Sequence, residues 1–174
     1  DAKIRQRNSL MIDSLHWLRK QVNITFLTRS IYQDGLPQRV LGVIPARFES
    51  SRFPGKPLKK INGVPMIERT YRQAKKSKRL HHLVIATDSQ EIFDYCTEKH
   101  MPVLMTSDQM TGTDRVAEAF MRSPGFDFCV NIQGDEPVIH PDSIDQIVDQ
   151  YISDRGMYNV YGLYKAGHEI NNDG

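Results

Sequence analysis

The residues of this chain best suited to chemistry fall in four short polar runs, each close behind an apolar one. The first run carries Arg47, Ser50, Ser51, Arg52 and Lys56, with Pro45 and Ala46 leading in and Gly55 just before the lysine. Two guanidinium forks, one ammonium, two hydroxyls and a glycine that admits close backbone approach are what a polyphosphate needs around it. A solvated basic loop would hold the same residues. The run is not a Walker loop, because Pro57 follows Lys56 where a magnesium-binding Ser or Thr belongs. It also lacks the glycine spacing of a dinucleotide fingerprint.

The second run, Thr87-Asp88, is weak alone, since an Asp after a strand commonly caps the next helix. The third, Thr111-Gly112-Thr113-Asp114-Arg115, puts a glycine, two hydroxyls and free amides where main chain could approach a base. Thr111 or Thr113 could equally be a plain helix cap. The fourth, Gln133-Gly134-Asp135-Glu136-Pro137, sets an acidic pair at the end of an apolar strand. A carboxylate there needs a cation, because burying it alone is costly. A hard divalent ion shared with phosphate oxygens meets that need; so would a salt bridge to Arg47 or Arg115.

These runs need elements to position them. Apolar runs at residues 40–44, 83–86, 103–105, 128–132 and 160–164 read as strands, and 24–28 as one more short strand. Helical spacing appears between them. Pro65 opens Met66, Ile67, Tyr71 and Ala74; Ser89 caps Ile92, Phe93 and Cys96; residues 115–121 follow; and Pro141 opens Ile144, Ile147, Val148 and Tyr151. Strands alternating with helices predict βαβ units and a mainly parallel sheet, with any ligand beyond the strands' carboxyl ends. All four polar runs fall at such ends. Residues 1–38 do not share the alternation and are set apart as an N-terminal appendage, leaving 39–174 as the core.

Composition narrows the classes further. The net charge is +2, with 39% apolar and 25% charged residues, and there is no dense Lys/Arg stripe, so a nucleic-acid footprint is not expected. No apolar run approaches the roughly 20 residues that cross a bilayer, and a cytoplasmic location follows by default. Cys96 and Cys129 sit inside ordinary helix and strand patterns and are expected to be buried, reduced thiols.

The motifs and their order resemble a known family. VIPARFESSRFPGKPL at 43–58, NGVPMI at 62–67, ATD at 86–88, TGTDR at 111–115 and NIQGDEP at 131–137 are similar to 3-deoxy-manno-octulosonate (Kdo) cytidylyltransferases over roughly residues 40–165. Acylneuraminate cytidylyltransferases share the basic first loop but generally lack the QGDEP run. The resemblance implies a three-layer, Rossmann-like nucleotide-diphospho-sugar transferase fold. It also implies Mg²⁺-dependent transfer of CMP from CTP to an acidic sugar, in the synthesis of a lipopolysaccharide precursor.

Carried over by position, Arg47, Arg52 and Lys56 would hold the triphosphate and Asp135 would bind Mg²⁺. Residues 86–88 and 111–115, including Thr87, Asp88, Thr111, Gly112, Thr113 and Arg115, would frame cytosine and ribose, and Gln133 would approach the sugar or the nucleotide. Family members form homodimers and continue past the position of Gly174 with much of the sugar pocket and a further metal-binding aspartate. The chain is therefore expected to be the nucleotide-binding part of a longer enzyme. A CTP-binding module without catalysis is the other class of reading. The turn before Gly112 is about one residue shorter than the family's usual form.

Overall fold

Strand β2 (Val40–Ala46) is buried along its whole length, as its unbroken apolar run requires of a strand covered on both faces. The computed structural model describes residues 24–28, 38–48, 54–109, 111–153, 164–165 and 168–169. Around β2 lie β1 (Ile24–Thr28), β5 (His82–Thr87), β6 (Val103–Met105) and β7 (Phe128–Ile132), in the order β1-β7-β2-β5-β6. β2 is parallel to both β5 and β7, and β5 is parallel to β6. β1 pairs antiparallel with β7, so a strand from the N-terminal stretch extends the same sheet.

The connections alternate as expected. Helix α1 (Met66–Ala74) precedes β5, α2 (Gln90–Glu98) precedes β6, α3 (Gly112–Met121) precedes β7, and α4 (Pro141–Ser153) follows it. Ile67, Ile92, Cys96, Ile144 and Val148 from α1, α2 and α4 share one buried cluster with Ile44, Ile85 and Ile132. On the other face, Val116, Ala119 and Phe120 of α3 close over Leu41, Val43, Val84 and Cys129. Removing each such aliphatic side chain from water contributes about 1.5–3 kcal/mol. The result is the three-layer Rossmann-like arrangement that the alternation called for.

Local details depart from expectation in places. α3 begins at Gly112, three residues earlier than the pattern suggested, because Thr111 caps it. Pro65 occupies the N-cap of α1 rather than its first turn and ends a small hairpin, β3 (Lys60–Ile61) with β4 (Val64–Pro65). Asn62 and Gly63 both have positive φ, which is what a two-residue hairpin turn demands. Phe93 is only half-buried, while Ile92 and Cys96 carry the inner face of α2. Ser89 accepts from the Ile92 N–H as a cap. Cys96 and Cys129 are buried and form no disulfide, and burial pushes the Cys96 thiol up to about 12. Of the strand expected at 160–164, residues 160–163 lie outside the described residues; Tyr164–Lys165 (β8) pairs with His168–Glu169 (β9).

Candidate active site

The chain runs from β2 outward through β5 to β6, then returns to place β7 on the opposite side of β2. Such a reversal opens a crevice between the two strands at their carboxyl ends, where parallel α/β sheets bind ligands. Here the loop after β7 comes hard against the end of β2. A Cβ on Gly134 would stand 2.7 Å from the Pro45 carbonyl oxygen, so only glycine lets the two backbones meet without displacement. The Gly134 carbonyl in turn accepts from Thr70 Oγ1 of α1 at 3.1 Å, which pins the loop to the helix beneath it.

Across this crevice Lys56 Nζ donates to Asp135 Oδ2 at 2.8 Å. The basic loop after β2 and the acidic loop after β7 thus meet at one point. The lysine, and neither Arg47 nor Arg115, is the cation that faces Asp135. Lys56 sits at the start of a 3₁₀ turn (Lys56–Leu58). Gly55 before it takes φ +68°, and its N–H closes on the Phe48 carbonyl at 2.7 Å. Burial, and then the charge of Asp135, push the Glu136 carboxyl upward; Lys56 opposes them. Two crowded carboxylates beside one lysine leave an acidic oxygen set that fits a hard divalent cation. Among the described residues no three His, Cys, Asp or Glu side chains form a self-sufficient metal site.

Arg47 lies on the other side of the β2 terminus. With Phe48, Asp88, Ser89, Asp108 and Gln109 it lines a cavity of about 440 Å³ over the ends of β2, β5 and β6. Its Nε and Nη2 are buried and have no hydrogen-bond partner among the described residues. Buried donors of a cation are rarely left unmatched, and a guanidinium in the wall of a cavity favours an anionic or acceptor-rich occupant. Asn131, buried near the end of β7, accepts from Gln133 Nε2 at 3.2 Å while its own Nδ2 is unpartnered among the described residues.

Asp88 and Arg115 are joined to each other. The guanidinium of Arg115 donates to Asp88, to Thr106 Oγ1 and, at 3.4 Å, to the Ser107 carbonyl. Its side chain has no exposed surface. Arg115, expected to frame the nucleotide, is enclosed in this structure, where its guanidinium braces the loops from beneath. Thr111 is the N-cap, with its Oγ1 accepting from the Asp114 N–H at 3.0 Å while Asp114 accepts from the Thr111 N–H, a reciprocal capping box. Thr113 Oγ1 is buried and has no partner among the described residues. Gly112 sits over the Pro45 ring, where an added Cβ would make only ordinary contact at 3.8 Å.

The structure thus gathers Pro45, Ala46, Arg47, Lys56, Thr87, Asp88, Gly112, Gln133 and Asp135 at one edge of the sheet. Ser50, Ser51 and Arg52 lie outside the described residues. Sequence reasoning passed over Phe48, Asp108 and Gln109 as cavity-lining residues and took Ser89 only as a cap. The polar stretch Thr106-Ser107-Asp108-Gln109 directly after β6 was the available signal.

A mainly parallel sheet with a switch point, a cation and a carboxylate meeting across it, and an arginine-lined cavity alongside mark a Rossmann-like domain of the nucleotidyltransferase kind. A cytidylyltransferase family model matches residues 41–173, and the chain belongs to that family. It is 48% identical to the mitochondrial 3-deoxy-manno-octulosonate cytidylyltransferase of Arabidopsis thaliana, over 63% of this chain and 39% of that protein. It is 47% identical to the 3-deoxy-manno-octulosonate cytidylyltransferase of Leptospira biflexa, over 65% of this chain and 46% of that one. Among solved structures it is similar to a CMP:2-keto-3-deoxy-manno-octonic acid synthetase complexed with CTP. That match has a TM-score of 0.65 and 35% identity over 67% of this chain and 48% of the other. The chain spans less than half the length of these relatives.

Proposed function

We propose that this chain is the CTP-binding part of an enzyme that transfers CMP from CTP to 3-deoxy-manno-octulosonate or a closely related acidic sugar. The observation that carries the reading is the meeting of Lys56 and Asp135 across the switch point, beside a cavity lined by Arg47. Similarity to proteins named for that reaction, and to a structure complexed with CTP, supports it.

In the proposed reaction the sugar's anomeric hydroxyl attacks the α-phosphorus. A new P–O bond forms as the hydroxyl gives up its proton to water, the bond to the bridging oxygen breaks, and pyrophosphate leaves with its charge. Arg47, Arg52 and Lys56 would bind the triphosphate and offset that charge, an electrostatic task that needs no covalent nucleophile. The cavity at Asp88, Asp108 and Gln109 would take the nucleoside, and Gln133 would approach from the β7 side. Asp135 would hold Mg²⁺, which would supply positive charge against the phosphates. The full-length enzyme is proposed to be a homodimer acting in the cytoplasm. Among the described residues no helix is long and apolar enough to cross a membrane.

Pyrophosphate release that requires CTP, Mg²⁺ and the sugar together is the expected result for the full-length protein. CTP binding with no release under any of these conditions would leave a binding module, and absence of CTP binding would end the proposal.

A further inference from the structure

The loop between β6 and α3 supplies Asp108 and Gln109 to the cavity, and it is held by one carboxylate. Glu118, on α3, accepts from the Ser107 N–H at 3.1 Å with each of its oxygens. Its Oε2 also accepts from Ser107 Oγ at 2.6 Å and from Gln109 Nε2 at 2.7 Å. Arg122, one turn on, donates to Glu118 Oε1 at 3.0 Å and to the Met105 carbonyl at 2.6 Å, so the end of β6 is tied into the same cluster. Gln109 Nε2 bonds Ser107 Oγ as well, at 2.8 Å. On the inner side the enclosed Arg115 holds Thr106 and the Ser107 carbonyl. The loop is gripped between two charged groups of one helix.

We propose that Glu118 is a positioning residue for nucleotide binding: it latches residues 106–109 in the conformation that shapes the nucleoside side of the cavity, without touching the ligand. The inference rests on the CTP-binding reading above. A six-residue loop has many conformations of similar energy, and a pocket wall made of it binds well only when one of them dominates. Affinity falls by the fraction of chains in which the competent form is present. Four donors converging on a single carboxylate suppress the others before the ligand arrives, which is how a site is pre-organised.

The test is calorimetric titration of CTP into the 174-residue chain and into Glu118→Gln, with Glu98→Gln as a remote control. Glu118→Gln preserves size but removes the charge and one acceptor oxygen. The Kd for CTP is expected to rise about tenfold, the loss from dropping the competent loop to about one chain in ten, with one site per chain retained. Amide hydrogen exchange at residues 106–109 should accelerate in the free variant and slow again when CTP is added. An unchanged Kd overturns the proposal, and so does a reduced number of sites at unchanged Kd, which would mean that Glu118 serves folding alone. Should Glu118→Gln fail to fold, Ser107→Ala removes two of the latch bonds from the loop side and is expected to raise Kd about threefold by the same population effect; no rise overturns the proposal. If the parent chain binds no CTP, the functional reading falls and takes the latch with it; if the parent binds and the variants bind equally well, only the latch falls.

Discussion

Lys56 and Asp135 stand 79 positions apart in the chain, and their charged atoms are 2.8 Å apart in space. Both side chains are more than two-fifths exposed, at 42% and 43%. An ion pair that open to solvent contributes about 0–1 kcal/mol to the fold. Its value must be sought in what it would hold, which makes the pair a clean target for mutation.

Lys56→Ala is expected to leave the unfolding midpoint within experimental error. CTP affinity should fall about tenfold or more, from loss of one close charge-assisted contact, while CMP affinity changes little. Equal losses for the two nucleotides would remove Lys56 from the β- or γ-phosphate. Asp135→Asn should keep the fold and abolish Mg²⁺-dependent turnover of the full-length enzyme; full retained turnover would take the metal away from Asp135.

Arg47 presents the opposite balance. Its Nε and Nη2 are buried without partners among the described residues, which costs the fold stability until an acceptor arrives. Arg47→Met should therefore be as stable as the parent or more so, by up to about 1–3 kcal/mol, and should bind CTP much more weakly. Thermal denaturation with and without CTP measures both effects. A variant that is less stable yet binds normally would show the guanidinium to be structural.

Gly134→Ala inserts a methyl group 2.7 Å from the Pro45 carbonyl oxygen, a backbone atom that cannot swing aside. Overpacking of this kind costs about 1–3 kcal/mol. The strain falls between the loops carrying Arg47 and Asp135, so CTP affinity should drop along with the denaturation midpoint. A normal midpoint with normal affinity would mean that the two strand ends are free to separate.

Arg115→Met should destabilise the chain by about 3 kcal/mol, the lower end of the cost of breaking a buried charge pair. It strands Asp88, Thr106 and the Ser107 carbonyl, but Asp88 keeps a quarter of its side-chain surface exposed and can still be hydrated. Chemical denaturation of the parent and the variant gives the difference. A near-zero change would contradict the bracing role.

Glu118 makes stability depend on pH. Ser107 Oγ, then the Gln109 side chain, the Ser107 N–H and Arg122, hold its carboxyl down to about 2 from an ordinary 4.5, against the smaller upward pull of burial. The folded chain thus binds a proton there less readily than the unfolded chain. The latch stabilises the fold fully above about pH 4.5, and this contribution is lost as pH falls toward 2. The stability difference between the parent and Glu118→Gln should be constant near neutrality and shrink below pH 4.5. A difference that grows on acidification would refute the assignment.

Much of this molecule was legible from residue order alone. The strand-helix alternation from Val40 to Tyr151 and the placing of polar runs at the strands' carboxyl ends follow from local periodicity, which each segment carries within itself. The capping roles of Ser89 and Thr111 were open to the same reading, since a cap bonds only to its own first turn. Which charge meets which was not. Sequence left Asp135 facing a metal, Arg47 or Arg115; the fold gives it Lys56, joins Arg115 to Asp88 and leaves Arg47 with donors unmatched among the described residues. Partner choice depends on strand order and on backbone contacts such as Gly134 against Pro45, and these arise between segments far apart in the chain. Periodicity says that a residue stands at a strand's end, but only the packed sheet decides what stands opposite it.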